Sequence, residues 1–342
     1  MQTRSFFEKH RLIKLSKAAV KPLLAVAMLA FLLKSGFLRL EELKSSLTNV
    51  NILFFGILLL SLQTLFFSFR WKYFVNQVVP FTLFQSARQT LIGYFFNFFI
   101  PGGVGGDVIK ALDLSKTKGI PKSRSFSLII LDRILGLYAM IAFSMIFLFL
   151  EDASTEFNLQ RYLKVATVMF VLSSGGLLFS RKIVTALKVV LIKLNHESLS
   201  YKILHQLSLF CEKISLSVNV KNITWSLIFS FFSQMFAIIF LYQVATEQAA
   251  AYIHNVPFML FFPLACFAFM ASSIPITPGG IGLGQASFYY IFAQFDKNVA
   301  EQLVIAVSLY QLFCLAAGFL GGFFYLTSNK YITTPTTAPS KG

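Results

Sequence analysis

The sequence predicts an all-α polytopic membrane protein with about six full transmembrane helices and two re-entrant helical hairpins in an inverted repeat. Three observations carry that expectation: a composition too apolar for water, apolar runs of spanning length divided by basic tracts, and two proline-glycine turns at matching places. Of 342 residues, 56% are hydrophobic, 13% are charged and 41 are Phe, giving a mean hydropathy of +0.70. Charged residues make up about a quarter of an ordinary globular chain, so lipid must be the solvent for much of this one. The net charge of +16 sits in tracts between the apolar runs rather than on one polar face. The positive-inside rule accounts for it, and nucleic acid is not expected as a partner.

Residues 1–21 form a basic N-terminus, with Arg4, Lys9, Arg11, Lys14, Lys17 and Lys21 against Glu8, which places it in the cytoplasm. The first membrane repeat, 22–150, has crossings near 22–38, 50–69 and 126–150 and a hairpin near 91–119. Its first apolar run follows a basic leader as a signal peptide would. No polar break follows Ala25-Val26-Ala27, so a retained signal-anchor helix is expected. The second repeat, 151–330, has crossings near 162–180, 223–244 and 300–326 and a hairpin near 257–296, and a polar tail, 331–342, closes the chain.

Charge orients the loops. The stretches 109–125 and 181–222 are basic and face inward; 151–161, with Glu151, Asp152 and Glu156 against Arg161, and 245–256, with Glu247, face outward. Within 181–221, Ile183, Leu187, Val190, Leu191 and Leu194 share one helical face beside Lys182, Lys188 and Lys193. That pattern suits either an interfacial amphipathic helix on the anionic leaflet or a cytoplasmic helical linker.

The two turns read Pro-Gly-Gly-Val-Gly from Pro101 and Pro-Gly-Gly-Ile-Gly from Pro278. Proline ends the preceding helix, and glycine permits positive φ and close backbone approach. Each is expected in a hairpin whose peptide groups are covered by protein or a watery cavity. The rival is that 257–274 spans outright; charge parity favours the hairpin, since Glu247 and the Asp296–Glu301 region then share the outer side. Each half thus reads crossing, crossing, hairpin, crossing, in opposite orientations, the plan of many secondary transporters. It points to a site between Pro101, Gly102, Gly103, Gly105, Gly106 and Asp107 on one side and Pro278, Gly279, Gly280, Gly282 and Gln285 on the other.

Few side chains there could carry chemistry. Asp132 and Arg133 fall early in an apolar helix, where an Arg costs about 3 kcal/mol at mid-membrane and needs a cavity or partner. Asp132 would most simply orient an Arg, either Arg70 or Arg133. Arg70 and Trp71 suit an interfacial anchor, or Arg70 a phosphate contact. Lys110 and Asp107 open the second arm of the first hairpin, where free N–H groups attract anions unless Asp107 itself caps them. Asn97 and Gln285 are uncharged groups at hairpin depth that suit bonds across helices. Cys211, Cys266 and Cys314 stand alone, and His10, His196, His205 and His254 lack ligand spacing, so no metal or cofactor is expected. Gly102–Gly106 lacks the Lys-Ser/Thr of a nucleotide-phosphate loop.

These residues resemble the transmembrane, flippase-like region of the lysylphosphatidylglycerol synthase family. The resemblance is carried by Arg70-Trp71, by Asn97 through Lys110 with PGGVGGDVIKA, by Leu131-Asp132-Arg133 through Gly136, and by Pro275 through Gln285 with PITPGGIGLGQ. It implies a membrane scaffold that moves a phospholipid between leaflets; the family's C-terminal synthase domain would lie beyond the last crossing and is not expected here. The family commonly carries Glu where Gln285 stands, so no proton or cation role is implied at that position.

The function expected is a translocase for a membrane lipid or lipid-linked sugar with an anionic headgroup, transporter-like rather than enzymatic, in a bacterial inner (cytoplasmic) membrane. Arg70, Lys110 and Arg133 would hold the phosphate. The alternative is a subunit, accessory or catalytic, in lipid or polyprenyl-glycan modification with a glycosyltransferase or lipid-synthesis partner. A solute or ion transporter is a third class, with few ionisable groups to couple it.

Overall fold

The computed structural model describes residues 47–100, 104–150, 157–179, 220–248, 252–274 and 276–328, with isolated positions between 182 and 212. The basic N-terminus, the crossing near 22–38, the residues Pro101, Gly102 and Gly103, most of 181–221 and the tail 331–342 lie outside them. The described chain is helical: α1 (Val50–Asn76), α2 (Leu83–Phe99), α3 (Gly105–Lys118), α4 (Lys122–Leu150), α5 (Phe157–Leu178), α6 (Val220–Gln248), α7 (Phe258–Ser272), α8 (Leu283–Phe292) and α9 (Lys297–Ser328). No strand occurs among the described residues.

Local chemistry sets the helix ends. Asn49 caps α1 through its side-chain oxygen, which accepts from the Asn51 and Ile52 amides, and Thr82 with Gln85 forms a capping box at α2. Gly119, at φ 67°, ends α3 in the left-handed conformation, with Lys116 and Lys118 in the last turn where the helix dipole favours cations. Asp296 accepts from the Asn298 and Val299 amides and so opens α9. Slight burial would raise its carboxyl pKa, but hydrogen bonds from Asn255 and from Val299 and Asn298 outweigh that and hold it below the usual value.

Four of these helices, α1, α4, α6 and α9, are long and apolar enough to cross a membrane, and less than half of each is buried by protein. Their outer faces present Phe54, Ile57, Phe149, Leu150, Leu320 and Phe323, a band that only lipid can cover. They match the expected crossings near 50–69, 126–150, 223–244 and 300–326. The crossing expected near 162–180 forms as α5, long enough at 22 residues but more polar, with Gln160, Arg161 and Lys164 in its first turns. By contrast α7 has 15 residues, about 22 Å at 1.5 Å per residue, short of the roughly 30 Å of a bilayer core.

The helices on either side of each glycine turn pack on one another, α2 on α3 and α7 on α8, and the pairing between halves is reciprocal. α1 lies along α6; α2 packs on α9 while α7 packs on α4; α3 packs on α4 while α8 packs on α9. The helix pair of each half therefore lends its leading arm to the last long helix of the other half. The α2–α9 seam is made by glycine. A Cβ on Gly321 would stand 2.1 Å from the Leu91 carbonyl oxygen, and one on Gly318 would stand 2.9 Å from the Phe95 amide nitrogen. Lipid supplies no hydrophobic drive between helices, so close backbone contact supplies the attraction. The main apolar core lies among α4, α6, α7, α8 and α9, and a second fills the space between the C-terminal half of α1, α3 and the start of α4.

Gly321→Ala forces the α2 and α9 backbones apart and should destabilise the fold by about 1–3 kcal/mol, the usual cost of overpacking. Gly175→Ala, on α5 with nothing within 4 Å of its added methyl, should leave the unfolding temperature in detergent unchanged or raise it.

Candidate functional site

Both glycine turns are stitched by a side-chain amide. In the first, Asn97 on α2 accepts from the Gly106 amide at 2.9 Å, taking up a free N–H at the start of α3. The helices cross so closely here that a Cβ on Gly106 would stand 2.2 Å from the Gly93 carbonyl oxygen. In the second, Gly279, Gly280 and Gly282 all have positive φ, at 59°, 72° and 80°, a conformation in which a side chain would be strained. Gln285 accepts from the Gly282 amide at 2.8 Å and donates to Ser308 and Gln311 on α9. Gln311 in turn donates to the Gly280 carbonyl at 3.2 Å.

The second turn meets the helix that leads toward the first. A Cβ on Gly279 would stand 2.5 Å from the Phe98 ring, so the second turn rests against the end of α2. Where they meet, a cavity of about 280 Å³ opens between α1, α2, α4, α6, α7, α8 and α9. Its polar wall includes the amides of Gln63, Asn97, Gln234 and Gln311 and the hydroxyls of Tyr94 and Tyr310, with Arg133 as a cation. Phe67, Phe98, Phe269 and Phe288 supply aromatic surface.

Of the residues expected at the site, Asn97, Arg133, Gly279 and Gly280 line this cavity. Gly105, Gly106, Gly282 and Gln285 shape the turns behind it. Asp107 does not cap α3: Val104 holds that position without a side-chain bond, and the Asp107 carboxylate pairs with Arg133. Arg70 is not a phosphate contact at the cavity but a buried structural cation, 6% exposed. It meets Asp132 bidentately, Nε to Oδ1 at 2.7 Å and Nη2 to Oδ2 at 3.0 Å. Its remaining Nη1 donates to Ser230 on α6 at 2.7 Å. Gly136 makes room, since a Cβ there would stand 3.0 Å from that Nη1.

Nor is Trp71 an interfacial anchor; it is 2% exposed and donates to Gln89, which donates to Asp113. The inward side chains find partners within the protein, which removes the reason to reach for the interface. Lys110 lies against Gly93 with its Nζ 6.0 Å from the Trp71 ring centroid. It feels attraction from Asp107 and Asp132 and repulsion from Arg70 and Arg133.

The residues that sequence reasoning missed are Gln63 and Gln234. Each is a lone amide near the middle of an apolar crossing, in α1 and in α6, and that isolation was the available signal. They are 3% and 4% exposed. Gln63 Nε2 donates to Tyr310 on α9 at 2.6 Å, and Gln234 Nε2 donates to the Gly136 carbonyl on α4 at 3.4 Å. The reciprocity of the packing thus extends to single bonds. Gln63 Oε1, Gln234 Oε1 and the Thr277 hydroxyl have no hydrogen-bond partner among the described residues, each an unmet cost of about 1–3 kcal/mol.

A helical body with an apolar outer face and four helices long and apolar enough to cross a bilayer defines a polytopic integral membrane protein. The family model for the lysylphosphatidylglycerol synthase TM region matches residues 18–322, so the chain belongs to that family. It is 24% identical over 313 residues to the UPF0104 membrane protein MJ1595 of Methanocaldococcus jannaschii, covering 87% of this chain and 90% of that one. No solved structure matches the chain.

Removing one partner of the Arg70–Asp132 pair strands a buried charge, so Asp132→Ala should destabilise the protein by about 3–5 kcal/mol. Removing both, as Arg70→Met with Asp132→Leu, should recover much of that loss in a thermal-unfolding cycle.

Proposed function

We propose that the chain is a translocase for a membrane lipid or lipid-linked sugar with an anionic headgroup, working in a cytoplasmic membrane. The observation that carries this reading is the cavity itself: an aromatic hollow with amides, hydroxyls and one guanidinium on its wall, beside the second glycine turn, in a body whose exterior is apolar. α2–α3 and α7–α8 act as re-entrant hairpins of an inverted repeat, consistent with their reciprocal packing and with the 15 residues of α7. The basic residues about the turn between α3 and α4, Lys116, Lys118, Lys122 and Arg124, support a cytoplasmic position for that end.

Arg133 holds the headgroup phosphate at the cavity wall, sharing it with Asp107 much as two carboxylates share one guanidinium. Arg70 does not touch the lipid; with Asp132 it keeps α1, α4 and α6 in register around the site. The acyl or prenyl chains stay in the bilayer, since about 280 Å³ admits a headgroup and little more. Alternating access follows from one set of packed helices rocking against the other.

In liposomes, the purified protein should move labelled lipid between leaflets, and Arg133→Ala should slow it by roughly tenfold or more, the value of one charge-assisted contact. If protein-containing and empty liposomes behave alike, the translocase reading goes.

A further inference from the structure

A phosphate that shares Arg133 with Asp107 lies beside a carboxylate, and the two negative charges repel. The pair is accessible, with 38% of the Arg133 side chain and 21% of Asp107 exposed, but relief of that repulsion needs a second cation for Asp107. Lys110 stands three residues further along α3, a spacing that puts both side chains on one helical face with about 5–6 Å between Cβ atoms. It is half-buried, and its ammonium makes no hydrogen bond or ion pair among the described residues. The chain rests over Gly93, where a Cβ would stand 2.6 Å from Lys110 Cε, and Nζ lies 6.0 Å from the Trp71 ring centroid. Of the carboxylates that attract it, Asp107 acts ahead of Asp132, and both oxygens of Asp132 are taken by Arg70. Asp107 also stands in the first turn of α3, where the helix dipole favours a negative charge whichever cation it meets.

We propose that Lys110 is a positioning residue for the anion at Arg133: as a phosphate settles on the guanidinium, Asp107 turns from Arg133 to Lys110. One Asp–Arg pair is replaced by an Asp–Lys pair and an Arg–phosphate pair, so no carboxylate is stranded inside the protein. Lys110 does not touch the phosphate. It acts through Asp107, and it leaves the Trp71 ring when it does so. Gly93 belongs to the device, since a side chain there would occupy the space in which the lysine waits. The inference rests on the translocase reading for why a phosphate arrives, but its test is binding and not movement.

Trp71 reports the exchange. The chain has two tryptophans, so Trp225→Phe leaves Trp71 as the one indole, with the Lys110 ammonium beside its ring. That variant, purified in a nonionic detergent, is titrated with dihexanoyl phosphatidylglycerol, with a short-chain isoprenyl phosphohexose and with inorganic phosphate. Binding is followed by the rise in unfolding temperature, and it should change the Trp71 emission as the lysine departs. The probe that binds tightest separates a glycerophospholipid from a polyprenyl-linked sugar and from free phosphate. Lys110→Met should abolish the emission change and weaken binding by roughly tenfold. Asp107→Asn, which frees Arg133 beforehand, should tighten binding, and Lys110→Met added to it should cost less than about twofold, because the lysine has lost the carboxylate through which it acts.

Binding with an unchanged Trp71 emission would overturn the inference. So would a Lys110→Met loss as large in the Asp107→Asn background as without it, which makes Lys110 a direct phosphate contact. Should Asp107→Asn not fold, the emission decides by itself. No binding of any of the three probes removes the inference together with the place of Arg133 in the proposed function. Exchange observed without lipid movement in liposomes sinks the translocase reading alone, and lipid movement with a silent Trp71 sinks this inference alone.

Discussion

Where a helix breaks inside an apolar body its peptide groups need partners, because lipid offers none. That constraint explains the two amides that stitch the turns. Asn97 takes the Gly106 N–H in the first turn and Gln285 takes the Gly282 N–H in the second, one from the leading arm and the other from the trailing arm. Gln311, reaching from α9 to the Gly280 carbonyl, completes the second turn with a group from outside it. The glycines are needed for a different reason at each site: positive φ in the second turn, and helix crossings too close for a Cβ at Gly106, Gly318 and Gly321.

The same constraint governs the charges. Arg70 and Asp132 neutralise one another with two parallel hydrogen bonds, and Ser230 takes a third N–H of the guanidinium. Desolvating such a pair costs about what its attraction returns, so its value is in fixing geometry more than in stability. It ties α1 to α4 and, through Ser230, to α6. Arg133 and Asp107 tie α4 to the start of α3 in the same manner, but Arg133 remains half-exposed at the cavity wall. The two Arg–Asp pairs look alike in sequence and differ in the one property that matters for binding, access.

The helical, membrane-spanning class was legible from composition and hydropathy alone, because lipid imposes the same requirement on every crossing. The repetition of the turns drew attention to both, and Gly279 of the second rests on Phe98 of the helix that leads toward the first. The partner of Arg70 was legible only as one of two alternatives, since sequence spacing does not say which helix faces which. Trp71 was misread because an aromatic beside an arginine at a helix end looks the same whether it meets lipid headgroups or a buried Gln89. Gln63 and Gln234 passed unnoticed because a single amide in an apolar run carries no charge to raise the alarm, and its importance comes from which helices surround it.

The exchange of arms between halves bears on biosynthesis. α2 emerges from the ribosome early, yet the glycine surface that receives its Leu91 and Phe95 backbone belongs to α9, among the last segments made. Until then the first broken pair has no permanent neighbour on that side and must wait in the bilayer against lipid or a provisional partner. Assembly of the pocket is therefore a late, largely post-insertional event. Neither half alone offers the leading arm of its helix pair the long helix on which that arm docks in the finished protein, so co-expressed halves would have to find one another before either could mature.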